Sequence, residues 1–435
     1  MKNTVKIRAF VKLGLIFIAG WFFSENATAQ PRGSVWVHGF NSSGSSWSKW
    51  EQLFTAERQM FNSTWAGRPY TYNTTTGVPD AALSVRSSYP ANQRTIYFGH
   101  SMGGVIGREI DVNFPNSFGG LIAFGSPFDG AQIANSVQNG AVNNFIANGV
   151  DKVTRGPARQ LGITVFFIWN LIVDDVVRSI QNRLPINLPN NQGVTDLQEG
   201  STYLQNGIRN SQTATHKIHV YGNEESPVLW RYASSTYEGL QGQPTYNDTY
   251  FVDFANTAGD VYEAAMWVNF ASAAATGWFT FGIGSIYYWW LADGWMDGKN
   301  WWRYDSEAGW NNLIGAYTPA TRNLCYTYVD QNYFMTCYND YALFDMLDQI
   351  QNCYNWATVN RCYTYYSQVN GQSDGLIKAP SQVGYNSDWS NNATRIEALG
   401  VNHREMLDNP KIADIIRRIC NGTAGADPFF NTVRR

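Results

Sequence analysis

A serine flanked by glycines, Gly99-His100-Ser101-Met102-Gly103, follows the β-rich run Arg94-Thr95-Ile96-Tyr97-Phe98 and precedes the helix-compatible run Val105-Ile106-Gly107-Arg108-Glu109-Ile110. A serine on a sharp turn between a strand and a helix presents its hydroxyl as a nucleophile. The glycines leave room for the turn and for the helix to pack on the strand. An unassisted hydroxyl is a poor nucleophile at neutral pH. It needs a base, and the base needs an orienting acid.

The chain has five histidines, so the search for a base is short. His38 and His100 lie inside other motifs. His216 and His219 flank Ile218 in a run that reads as a buried strand, where histidine is more often a core residue. His403 lies in a polar loop, Val401-Asn402-His403-Arg404, ahead of a helical tail. It is the expected base, because chains with this elbow run serine, acid, histidine. The acid then lies between them. Asp374, in Gln372-Ser373-Asp374-Gly375, sits at a turn and is the expected acid. Its rivals are Glu224, Glu225 and the pair Asp174 and Asp175, and an Asp-Gly pair alone is an ordinary turn.

Acyl chemistry also needs two N–H donors for the developing oxyanion. The residue after the nucleophile supplies one, Met102. The strand Ser34-Val35-Trp36-Val37 ends in His38-Gly39-Phe40, and Phe40 is the expected second donor. His38 then holds the loop and moves no proton.

Taken together, His38-Gly39-Phe40, Gly99-His100-Ser101-Met102-Gly103-Gly104, Gly125-Ser126-Pro127, Ser373-Asp374-Gly375-Leu376-Ile377 and Asn402-His403 resemble the α/β-hydrolase fold. Within that superfamily they resemble bacterial triacylglycerol lipases and related lipid deacylases. The resemblance covers roughly residues 33–135, 214–223 and 370–410, and it implies a triad of Ser101, Asp374 and His403. It is specific for fold and triad and weaker for substrate. Many such lipases hold a structural calcium through an Asp two positions after the histidine and another about twenty before the acid. Glu405 and Tyr354 stand at those places, so calcium is not carried over, and no cofactor is expected.

The elements around these residues predict an α/β fold. A mostly parallel sheet flanked by helices follows from strands at Val35–Val37, Ile96–Phe98 and Leu121–Phe124 alternating with helices around Trp47–Met60 and Val105–Asn113. The expected division is a signal peptide at 1–29, a first core part at 30–227 with a lid-like segment at 136–213, an aromatic-rich insertion at 228–365 and a last core part at 366–435. A packing helix pair is the bland alternative for the lid-like segment. Eight of the seventeen tryptophans fall between Trp267 and Trp310, and no charged residue occurs from Ala264 to Ala292. A membrane span there would leave Ser101 on one side and Asp374 with His403 on the other. A packed insertion, or a lid or wall for apolar substrate, fits the sequence better.

Lys2, Lys6, Arg8 and Lys12, the apolar run Leu13–Phe23 and Ala27-Thr28-Ala29 read as a secretory leader cleaved near Ala29. The expected location is exported, periplasmic or extracellular. Losing the leader makes the chain more acidic than its formal −3, which argues against nucleic acid as a partner. Four of five cysteines lie between Cys325 and Cys362, so two disulfides are expected, with three connectivities open. Neighbour pairing, Cys325 with Cys337 and Cys353 with Cys362, is the simplest, with Cys420 left over. Zinc is a weaker reading, because no Cys-x-x-Cys pair occurs.

The functional expectation is an exported serine esterase or lipase, acting on carboxylic esters of lipids. A carbohydrate or small-acyl esterase, or an acyltransferase, could use the same triad. A non-enzymatic lipid- or glycan-binding surface protein is the rival of another class. Peripheral contact with a lipid interface stays open, as does oligomeric state.

Overall fold

A computed structural model describes residues 32–57, 61–64, 71–160, 191–205, 208–235, 249–279, 283–329, 358–425 and 427–432. The leader, Asp174, Asp175, Cys337, Cys353 and Tyr354 lie outside these residues.

Among the described residues, six strands form the central sheet: β1 (Arg32–Val37), β2 (Phe61–Thr64), β3 (Asn92–His100), β4 (Phe118–Phe124), β5 (His216–Asn223) and β8 (Thr394–Leu399). Their order is β2-β1-β3-β4-β5-β8, and every neighbouring pair is parallel. The inner strands are apolar throughout because helices cover both faces. Side chains alternate between those faces. Trp36, Phe98, Ile122 and Val220 enter one core, whereas Val35, Val37, Tyr97 and Leu121 enter the other. Trp36 stacks on Phe98 with ring centroids 3.9 Å apart.

Helices α1 (Val78–Ser87) and α2 (Met102–Asn113) cover the second face. The first face takes the C-terminal helix, Pro410–Cys420, whose Ile412, Ile415, Ile416 and Ile419 form one helical stripe. Asn409 caps that helix through Lys411 N–H, and Pro410 occupies its first turn. The segment expected as one helix around Trp47–Met60 is wound in three pitches, Gly44–Trp47, Ser48–Glu51 and Gln52–Glu57. Trp47, Trp50 and Phe54 are still buried against the sheet.

Beyond β5 the chain leaves the sheet as α3 (Val228–Ser235), α4 (Tyr250–Phe279), α5 (Ile283–Asn300) and α6 (Ser306–Leu313). Their core is aromatic: Trp230, Tyr262, Trp295, Trp301, Trp302 and Trp310 are buried together. Residues 141–160 are helical, and Phe145 and Ile146 from that helix pack against the same cluster. Glu307 caps α3 by accepting from Val228 and Leu229 N–H at 2.7 and 3.0 Å. Among the described residues, no helix is long and apolar enough to cross a membrane. After α6 the strands β6 (Tyr317–Val329) and β7 (Thr358–Asn370) form an antiparallel pair apart from the main sheet.

Candidate active site

The strand order reverses direction of growth at β1 and β3, and their C-terminal ends form the crevice where open α/β sheets bind ligands. Both oxyanion-donor candidates and Ser101 come from these two ends.

Ser101 follows β3 directly, at φ 54° and ψ −125°. A left-handed φ on a residue with a Cβ is a strained conformation, held by its surroundings. Ser101 N–H donates to Phe124 O at 2.9 Å, and its carbonyl accepts from Gly104 N–H at 3.0 Å. The turn is possible because α2 lies hard against β1. A Cβ on Gly103 would collide with the Val37 and His38 carbonyls. Gly39 packs as tightly from the other side, since a Cβ there would stand 2.8 Å from Ser101 Cβ and 3.2 Å from His100 Nδ1.

Asp374 and His403 meet beside the end of β4. His403 Nδ1 donates to Asp374 Oδ2 at 2.7 Å, with Asp374 fully buried. The other carboxylate oxygen, Oδ1, accepts from Leu376 and Ile377 N–H at 3.0 and 2.7 Å. A Cβ on Gly125 would stand 2.9 Å from Asp374 Oδ2 and 3.0 Å from His403 Nδ1. Gly125 follows Phe124, the acceptor of Ser101 N–H, so serine, acid and histidine converge at one strand end. His100 closes the group: its Nε2 donates to His403 O at 2.9 Å, and its ring lies 4.7 Å from the His403 ring. Burial holds the His100 pKa well below the usual histidine value, and the His403 charge adds to this. His100 is therefore a neutral donor.

The donor loop is fixed by its own histidine. His38 Nδ1 donates to Gly39 O at 2.7 Å, Tyr72 Oη donates to His38 O at 2.7 Å, and the two rings stack at 4.3 Å. Burial lowers the His38 pKa. Among the described residues, neither Phe40 N–H nor Met102 N–H donates to another backbone carbonyl outside regular elements.

The rival acids sit elsewhere. Glu224 is buried, but its Oε2 accepts from Asn402 Nδ2 at 3.0 Å, one residue before His403. Glu225 is exposed and pairs with Arg231 at 3.7 Å. His216 bonds Asp427 at 2.5 Å, and His219 Nδ1 donates to Val383 O at 3.1 Å deep in the core. Gln382 and Trp310 have no role in the reading of the sequence, and Asn402 enters it only as the neighbour of His403. Gln382 donates to Ile377 O at 2.7 Å and accepts from Gly222 N–H at 2.8 Å, which ties the Asp374 loop to β5. Trp310 Nε1 donates to Gly375 O at 2.8 Å from the insertion. Asn402 Oδ1 accepts from Glu405 N–H at 3.1 Å and shapes the His403 loop. No local signal marks Gln382 or Trp310, because each acts on residues distant in the chain. Among the described residues no cluster of metal-ligating side chains occurs.

No family model matches the chain, and no curated protein matches it. Solved structures do. An extracellular α/β-hydrolase from a Paenibacillus species is 19% identical over 26% of this chain and 50% of its own, with a TM-score of 0.20. The match thus spans half the length of that relative. A Bacillus licheniformis lipase is 17% identical over 45% of this chain and 67% of its own, with a TM-score of 0.25. The phospholipase PlaB from Legionella pneumophila is 14% identical over 45% of this chain and 40% of its own, with a TM-score of 0.28. Superpositions this partial carry no argument about activity. The parallel sheet order and the elbow serine after β3 define the fold directly: the chain has the α/β-hydrolase fold.

Proposed function

We propose that this chain is an exported serine hydrolase that cleaves carboxylic esters of lipids. The observation that carries the reading is the 2.7 Å bond from His403 Nδ1 to Asp374 Oδ2 beside the Ser101 elbow. With Nδ1–H spent on the carboxylate, the imidazole Nε2 lone pair is the one left to accept a proton. His403 takes the Ser101 proton as the hydroxyl oxygen attacks the ester carbonyl. Phe40 and Met102 N–H hold the tetrahedral oxyanion. The imidazolium then protonates the leaving alcohol. Water, deprotonated by the same imidazole, attacks the acyl-enzyme, releases the carboxylic acid and restores Ser101. Asp374 keeps the tautomer and stabilises the imidazolium.

The lipid half of the reading draws on the aromatic insertion. Trp267, Tyr287 and Trp290 of the insertion are exposed, and large aromatic side chains of this kind suit contact with acyl chains. The test is hydrolysis of p-nitrophenyl esters from acetyl to palmitoyl by the mature protein, beside Ser101→Ala. Turnover that rises with chain length and vanishes in the variant is expected. Turnover confined to acetyl esters overturns the lipid reading in favour of a small-acyl or carbohydrate esterase. No turnover with any ester overturns the hydrolase reading.

A further inference from the structure

β6 and β7 pair in antiparallel register over thirteen positions, from Tyr317↔Asn370 to Val329↔Thr358. Cys325 and Cys362 are direct partners in that register. Directly opposed residues of an antiparallel pair have Cα atoms about 4.5–5.5 Å apart, within the span that a disulfide requires. Neighbour pairing of Cys325 with Cys337 and of Cys353 with Cys362 leaves this alignment unused.

We propose that Cys325 and Cys362 form a cross-strand disulfide that clasps the β6–β7 arm. The chemistry is thiol–disulfide exchange with an oxidising disulfide donor. One cysteine thiolate attacks the donor and releases one donor thiol. The second cysteine thiolate attacks the resulting mixed disulfide and releases the other. The arm loses two electrons and two protons, and the donor is reduced to two thiols. Cys420 does not compete: it is fully buried in the sheet core and unbridged. Burial pushes its thiol up to about 12, so the reactive thiolate is suppressed.

The clasp bears on the active site through the base of the arm. β7 ends at Asn370, four residues before Asp374, and Gly371 N–H donates to Ala316 O at 3.0 Å just below β6. Closing the arm fixes the entry of the chain into the Asp374 loop. The pairing does not depend on the ester-hydrolase reading, and glutathione disulfide can stand in for an exported compartment.

The experiment is disulfide mapping of the full chain refolded with glutathione disulfide. Free thiols are first blocked by alkylation without reduction. Cleavage after Lys and Arg and before Asp then puts the cysteines on separate peptides, 323–329, 330–339, 348–361 and 362–373. A linked pair of 323–329 with 362–373, absent after reduction, is expected. Linkage of 323–329 to 330–339 or 348–361, or alkylation of Cys325 and Cys362 in the folded protein, overturns the proposal. Cys325→Ser gives a second readout. The cysteine newly open to alkylation is expected to be Cys362, and labelling of Cys337 in its place contradicts the pairing.

Discussion

Asp374 and His403 grip each other twice. His403 Nδ1 donates to Asp374 Oδ2 at 2.7 Å, and His403 N–H donates to Asp374 O, also at 2.7 Å. The two residues are 29 positions apart, on loops after different strands. The backbone bond fixes the loop spacing, and the side-chain bond fixes the imidazole tautomer. The first prediction follows from that division. Asp374→Asn keeps the fold and lowers kcat by up to about 10⁴, the scale of losing the correct tautomer in such triads. Steady-state kinetics with circular dichroism checks it, and full activity in the variant removes Asp374 from the triad.

Glu224 supports the same loop from behind, through Asn402 Nδ2. Glu224→Ala leaves that buried amide without this acceptor, which costs about 1–3 kcal/mol of stability. The expected outcome is a lower melting temperature with kcat nearly unchanged. A fall in kcat as deep as that of Asp374→Asn would move the acid role to Glu224.

Gly39 sets the distance between the donor loop and the elbow. A Cβ at this position would meet Ser101 Cβ at 2.8 Å and His100 Nδ1 at 3.2 Å, so the loop carrying Phe40 must move outward. Gly39→Ala is expected to lower kcat by about 10²–10³, the loss seen when one oxyanion donor is removed. The stability change stays small beside it. Unchanged kcat would place the second donor elsewhere.

The core histidine His219 makes stability fall in acid. Burial lowers its pKa from 6.5 to about 3, with Arg395 and Lys217 adding to the shift. Between those values the unfolded chain holds the proton and the folded chain does not, so stability drops as pH falls from 6.5 toward 3 and is level above 6.5. His219→Phe, placed between Phe128 and Trp389, is expected to flatten the melting temperature curve between pH 7 and 4. Parallel curves for the two proteins contradict this.

The elbow and the inner strands were legible because their signals are local. Gly99 to Gly103 is a compact motif, and β1, β3 and β4 are apolar runs that burial on both faces demands. Asp374 is a weaker signal, since Asp-Gly is a common turn and only chain order and the Ser373–Ile377 resemblance point to it. The edge strands β2 and β8 escaped notice. Thr394–Leu399 has one buried residue in six, so its polar alternation resembles a loop. The arm β6–β7 escaped for a related reason: its tyrosines, threonines and asparagines lack a clean alternation of apolar and polar residues. Gln382 and Trp310 act across the fold on backbone groups of the Asp374 loop and its β5 anchor, and no spacing in the chain announces that.

The central claim is that Ser101 is a nucleophile activated by His403. Incubation with a fluorophosphonate, followed by peptide mass mapping, tests it without any assumption about substrate. The account predicts one phosphonyl adduct per chain, on Ser101, lost in Ser101→Ala and slowed by orders of magnitude in His403→Ala. An intact protein that takes up no phosphonate, or takes it up on another residue, contradicts it.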